Sequence, residues 1–265
     1  MKEYDKYLKL LKEKYPTKQS VYSELINLNA IMNLPKGTEH FMSDLHGEYD
    51  AFYHIINNCS GVIREKVAML YGDELTVYEQ QELCTLIYYP REKLSILMDE
   101  NKVNDEWYRN VLNQLIQIAK LLSSKYTRSK VRKAMPVDFA YIIDELIHAQ
   151  KDEDDNRSVY HRQIMETILS LHNGDEFLVA LTDLIKRLAV DHLHILGDIY
   201  DRGAHADKIL DLLMEHHSVD IQWGNPDILW MGAFCGNTVC MALVVSNNNK
   251  YKTIAILEYG YDISI

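Results

Sequence analysis

The chain has 265 residues with 47% hydrophobic content, enough to bury a full core as one large domain or as a compact domain with an insertion, and this excludes a mainly disordered chain. Acidic residues outnumber basic ones 39 to 28, for a formal net charge of -11. That balance excludes a general affinity for nucleic acid, which rests on lysine and arginine displacing phosphate counterions, so an anionic ligand needs metal ions or a local arginine to hold it.

In chain order, apolar residues at helical spacing predict helices over 3–15, 17–33, 48–59, 62–71, 76–89, 104–125, 136–150, 158–172 and 175–190. The opening segment, Met1 to Leu10, alternates charged with apolar residues and lacks the continuous apolar core of a secretory signal. No run approaches the roughly 20 apolar residues of a membrane span, so no membrane partner is expected. Cys59, Cys84, Cys235 and Cys240 form no CxxC pair and are read as buried free thiols in a reducing cytoplasm. The charge run Lys151 to Arg157 is read as a solvated loop, because it lacks the glycine and terminal glutamate of a calcium loop.

Segments of β type are few: near 38–43, 192–197 and 219–223, with a fourth candidate near 252–258. The first three run into loops that carry chemistry: Ser43-Asp44-Leu45-His46-Gly47, Gly197-Asp198-Ile199-Tyr200-Asp201-Arg202-Gly203, and Trp223-Gly224-Asn225-Pro226-Asp227. Strand, loop and helix in that order predict βα units of an α/β fold, in which ligands gather at the carboxyl ends of the strands. The stretch between the first two loops is helical in pattern and too long for a simple crossover. It is read as an all-helical insertion over 61–185, leaving 1–60 and 186–265 as the catalytic region.

A divalent metal that activates water wants hard oxygen and imidazole ligands, and a pair of metals needs a carboxylate able to bridge them. Asp44 and His46, two apart at the mouth of a strand, can face one ion. Asp198 is the natural bridge, Asn225 offers a neutral oxygen, and Arg202 carries a fork of donors for phosphate. An Asp-x-His triplet alone is weak evidence, whereas D-x-H-G, G-D-x-x-D-R-G and W-G-N-x-D in order, each after a β-type run, are far more specific.

With those motifs and the long helical segment between the first two, the chain resembles the class 3 fructose-1,6-bisphosphatases of bacteria, within the calcineurin-like metallophosphoesterase superfamily. The resemblance implies metallophosphoesterase-like βα layers, incomplete at the C-terminus. It implies hydrolysis of fructose 1,6-bisphosphate to fructose 6-phosphate and phosphate in gluconeogenesis, with a divalent metal pair, manganese as the usual ion, and a metal-bound hydroxide as nucleophile. Asp44, His46, Asp198 and Asn225 would hold metal. Arg202 would contact phosphate. From its position close behind Arg202, His205 is read either as a further substrate contact or as a histidine on a helix surface. A small sugar bisphosphate is then the partner, and a homo-oligomer stays open; other metallophosphoesterase substrates are the enzymatic alternative.

Two departures stand out. In the family a histidine follows the asparagine, the group expected to protonate the leaving alkoxide with Asp201 orienting it; here the position is Pro226, which has no titratable group. The chain also has no histidine after His217, where the superfamily takes further metal ligands. Family members are much longer, so the chain reads as an amino-terminal portion of such an enzyme, with impaired catalysis or a metal-binding scaffold as the alternative. Its last segment, Tyr251 to Ile265, is then expected to leave apolar surface exposed.

Plainer readings apply elsewhere. His192 and His194 are expected as one polar edge position and one satisfied core position on a strand. His216 and His217 are expected to close a helix as imidazolium ions favoured by its dipole. Trp223 and Trp230 are expected to pack, and Arg132 and Lys133 to be surface cations.

Overall fold

Three short parallel strands, β1 (Glu39–Met42), β2 (His192–Ile195) and β3 (Val219–Ile221), stand side by side in that order in a computed structural model that describes residues 2–149 and 155–260. Phe41 lies opposite His194 across the β1/β2 pair, and His194 lies opposite Asp220 across the β2/β3 pair. Alternation decides the faces: Leu193 and Ile195 are fully buried, while His192 and His194 sit half-buried on the other side. One sheet face is therefore packed and the other is open.

Helices α1 (Lys2–Lys14) and α2 (Lys18–Ile31) precede β1, and α3 (Tyr49–Asn58) follows it. Eight helices then fill the long crossover to β2: α4 (Val62–Tyr71), α5 (Val77–Tyr88), α6 (Pro90–Asp99), α7 (Asp105–Ser123), α8 (Arg128–Ala134), α9 (Ala140–Ile147), α10 (Asp155–Ser170) and α11 (Gly174–Ala189). Helix α12 (Ala206–Glu215) connects β2 to β3, and α13 (Asn225–Phe234) and α14 (Thr238–Lys250) follow. The described residues thus form an α/β structure in which helices predominate and the sheet is small.

Local chemistry explains the boundaries. Thr17 and Ser20 close a reciprocal cap on α2, and Thr76 and Glu79 do so on α5. Pro90 stands at the first position of α6, where a missing N–H costs nothing, so the helical pattern continues past residue 89 as a separate helix. The single helix expected over 136–150 begins at Ala140, because Pro136 leads into a 3₁₀ turn at Val137–Phe139. The fourth β segment near 252–258 is not a strand: residues 254 and 255 are helical and run into a π-helical turn, Ile256–Gly260. Among the described residues there is no further strand to pair against, so β-branched residues there do not stay extended. Residues 151–154 of the charge run lie outside the described residues; Asp155 to Arg157 open α10 rather than a loop.

Two apolar clusters form. The larger is built on the α7–α11 pair, where Leu112, Leu115, Ile118 and Leu122 meet Phe177, Leu178, Leu181 and Leu184, all fully buried. The smaller lies under the sheet: Leu193 and Ile195 pack with Phe52 of α3, Ile209 and Leu213 of α12, and Leu45 and Ile199 of the adjoining loops. Helix α2 has no buried residue, and Phe234 at the end of α13 is 94% exposed. The four cysteines are free, but only Cys59 and Cys84 are buried; Cys235 is exposed and Cys240 half-covered, since little packs over the α13–α14 hairpin. Burial pushes the Cys59 thiol up to about 12. Among the described residues no helix is long and apolar enough to cross a membrane.

Candidate metal centre

Each of the three chemistry-bearing loops leaves the carboxyl end of a strand. Asp44 and His46 follow β1, Asp198 follows β2, and Asn225 opens α13 after β3. Parallel register brings those ends to one edge of the sheet, as expected for α/β sheets.

The loops touch backbone to backbone. The His46 N–H donates to Asp198 O at 2.7 Å, and the Gly47 N–H donates to Ile199 O at 2.8 Å. The Gly203 N–H returns a bond to His46 O at 2.6 Å, and the His205 N–H reaches Gly47 O at 3.1 Å. Glycine permits this approach: a Cβ on Gly203 would fall 2.5 Å from Gly47 C, and Gly47 itself has φ +68°. On the other side a Cβ on Gly224 would overlap Asp198 Oδ1 and lie 2.6 Å from the Asp198 nitrogen.

Asp227 ties the second loop to the third. Its carboxylate is 4% exposed and accepts four backbone N–H bonds, from Asp198 and Gly224 at 2.8 Å, Ile199 at 2.9 Å and Tyr200 at 3.0 Å. This positioning role goes beyond the sequence expectations, which took Asp227 only as the close of a motif. A signal existed: an acid three residues after a glycine at a helix start is well placed to collect backbone N–H groups.

Strain is concentrated here. Ten non-glycine residues among those described have positive φ, and five of them are Asp44, His46, Asp198, Asp201 and Arg202. Each costs on the order of 1–3 kcal/mol and persists only where surrounding structure holds it.

Ligand atoms of Asp44, His46 and Asp198 lie within 4.8 Å of one another. His46 Nε2 is 3.5 Å from Asp44 Oδ1, and Ser43 Oγ donates to Asp44 Oδ2 at 2.8 Å. His46 Nδ1 is buried with no hydrogen-bond partner, an unusual state for an imidazole nitrogen. Two carboxylates and an imidazole suit a divalent cation, and Nε2 is the His46 nitrogen that faces Asp44. The Asn225 side chain makes no hydrogen bond among the described residues, and its neighbour Gly224 abuts Asp198.

Asp201 and Arg202 face each other, Nε to Oδ2 at 3.6 Å, and the Arg202 guanidinium lies 5.7 Å over the Tyr251 ring. His205 is exposed at the residue before α12. Pro226 stands in the first turn of α13. Trp230 stacks on Tyr200 at 5.1 Å as expected, but Trp223 does not pack; it is 64% exposed. His216 caps α12 without being an imidazolium: burial, with His217 beside it, lowers it to about 4. His192 and His194 share neither expected role, since both turn toward Asp220 on the open sheet face.

Comparison with known proteins adds the following. Residues 6–265 match the family model described as Firmicute fructose-1,6-bisphosphatase. The chain is 52% identical over its whole length to fructose-1,6-bisphosphatase class 3 1 of Clostridium beijerinckii, covering 41% of that protein. It is 53% identical, over 98% of the chain and 40% of the relative, to the class 3 enzyme of Listeria monocytogenes serotype 4b. For the class 3 enzyme of Clostridium botulinum the identity is 50% over 98% of the chain and 39% of the relative. The chain thus spans about 40% of the length of the curated relatives it matches. No solved structure matches it.

Proposed function

We propose that this chain, which belongs to the Firmicute fructose-1,6-bisphosphatase family, carries a divalent-metal centre for hydrolysis of fructose 1,6-bisphosphate to fructose 6-phosphate and phosphate, in the cytoplasm and in gluconeogenesis. The observation that carries this reading is the convergence of Asp44, His46 and Asp198 within 4.8 Å at the strand ends. Asp44, His46 and Asp198 would hold the metal, with Asn225 for a second ion, and manganese is the ion proposed. When bound, such a pair activates water and neutralises charge growing on a phosphoryl group.

The chain's own residues supply the rest. Asp227 holds the Asp198 backbone, so the residue that would supply a metal-binding carboxylate stands on a preorganised loop. The Arg202 side chain is 56% exposed at the same loop, from which its guanidinium can engage a substrate phosphate as Asp201 releases it. His205 borders this loop as a further substrate contact. We also read the three βα units as part of metallophosphoesterase-like layers, with 61–185 as a helical insertion; the separate apolar clusters support that division.

Pro226 favours a second reading, a metal-binding centre with impaired turnover, because no group at that position can protonate the leaving alkoxide. The test is phosphate release from fructose 1,6-bisphosphate with manganese, by the chain and by Pro226→His. Release that rises on the order of 10²-fold or more in the variant supports hydrolysis limited by the missing acid. Metal binding without release in either form supports the second reading. Absence of metal binding at Asp44, His46 and Asp198 contradicts both.

A further inference from the structure

The open face of the sheet carries a second constellation. Register sets His194 opposite Asp220 and His192 two residues before it on the same side. His194 Nδ1 lies 2.8 Å from Asp220 Oδ1, and His192 Nε2 lies 3.2 Å from Asp220 Oδ2. The two rings are 4.4 Å apart between centroids. One nitrogen of each ring thus converges on a single carboxylate, and all three ligand atoms fall within 4.8 Å.

Each outward nitrogen has a polar neighbour. His192 Nδ1 meets Ser218 Oγ at 2.6 Å, and His194 Nε2 faces Glu39 Oε2 at 3.8 Å. Phe41 stacks on the His194 ring at 4.4 Å and 14°, which fixes its plane. The inner nitrogens donate to the Asp220 carboxylate, and a cation would take the place of those protons, while Ser218 and Phe41 keep the two rings oriented as outer contacts do for metal-ligating histidines. The neighbouring imidazoles hold the Asp220 carboxyl below the usual range.

We propose that His192, His194 and Asp220 form a second metal site, which takes a divalent cation of the zinc class with water as fourth ligand. Two imidazoles and one carboxylate favour zinc, cobalt or nickel over the oxygen-preferring ions. Tetrahedral zinc at about 2.0–2.2 Å from each ligand holds them roughly 3.4 Å apart, so the 2.8 and 3.2 Å imidazole–carboxylate pairs open by a few tenths of an ångström through rotation of the exposed Asp220 side chain. The site lies on the sheet face rather than at the strand ends, and it stands independently of the proposed hydrolysis.

The test uses the full chain carrying Asp44→Asn and Asp198→Asn, which disables the loop centre, titrated with cobalt(II) and followed by visible absorption. One equivalent with ligand-field bands, displaced by zinc, is expected. Ser218→Ala should weaken affinity on the order of 10-fold or more, and His192→Gln with His194→Gln should abolish the bands. In case the histidine variants fail to fold, imidazole NMR of the Asp44→Asn, Asp198→Asn chain gives an independent reading, with the His192 and His194 rings expected to shift on zinc addition. No bands at saturating cobalt, bands unchanged without both histidines, or shifts confined to other histidines would overturn the site and leave a histidine–aspartate ion-pair cluster.

Discussion

The carboxylate of Asp227 accepts the backbone N–H of Asp198 at 2.8 Å, and the same two oxygens hold Ile199, Tyr200 and Gly224. The residue that positions the proposed bridging ligand is therefore a buried acid 29 positions away in sequence.

Replacing that acceptor should uncouple the loops. In Asp227→Asn one oxygen becomes an NH₂ that confronts backbone N–H groups, leaving buried donors unpaired. We expect a loss of about 2–4 kcal/mol in urea unfolding and a drop of about 10- to 100-fold in manganese affinity by calorimetry. Unchanged affinity would mean that the Asp198 loop holds its shape without Asp227.

Gly224→Ala tests the close approach of the third loop. Gly224 has φ -85°, so the backbone tolerates alanine, but the new methyl group would occupy the position of Asp198 Oδ1. Metal binding should fall strongly while stability drops by about 1–3 kcal/mol, read by calorimetry and thermal melting on the same sample. Wild-type binding in this variant would show that the Asp198 side chain is not needed where it stands.

The helical region should answer to its core and hardly to its surface. Leu115 is fully buried between α7 and α11, and Leu115→Ala should cost about 3–5 kcal/mol. Arg109 pairs with Glu166 through two bonds at 2.7 and 2.8 Å, yet both side chains are about 40% exposed. Arg109→Ala should cost no more than about 1 kcal/mol. Equal effects in urea unfolding would contradict this reading of the core.

Acid should destabilise the chain partly through His216. Burial lowers its pKa from 6.5 to about 4, so the unfolded state binds the proton more readily than the folded one. This contribution is fully present above pH 6.5 and is lost as pH falls toward 4. Because the ring is partly exposed, the loss should be on the order of 1 kcal/mol. The melting temperature of His216→Gln should fall less between pH 7 and pH 4.5 than that of the parent; parallel curves would remove His216 from the account.

Much of this was legible in the sequence because β1, β2 and β3 are short apolar runs that end in carboxylate-bearing turns, a pattern that survives without tertiary information. Most helices were legible through their apolar periodicity. The division at Pro90, the 3₁₀ turn after Pro136 and the helical turn at 254–260 were not, since each depends on one residue's backbone or on a missing strand partner. Asp227 was visible as an acid near a helix start, but its four donors come from two loops that only folding brings together. The facing of His192 and His194 toward Asp220 depends on β2/β3 register, which single strands do not reveal.

The claim beneath all of this is that Asp44, His46 and Asp198 enclose a divalent cation. The most direct measurement is anomalous diffraction from crystals of the chain grown with manganese. A manganese peak within bonding distance of Asp44, His46 and Asp198 is predicted, and a crystal saturated with manganese that shows no peak among those three side chains would contradict it.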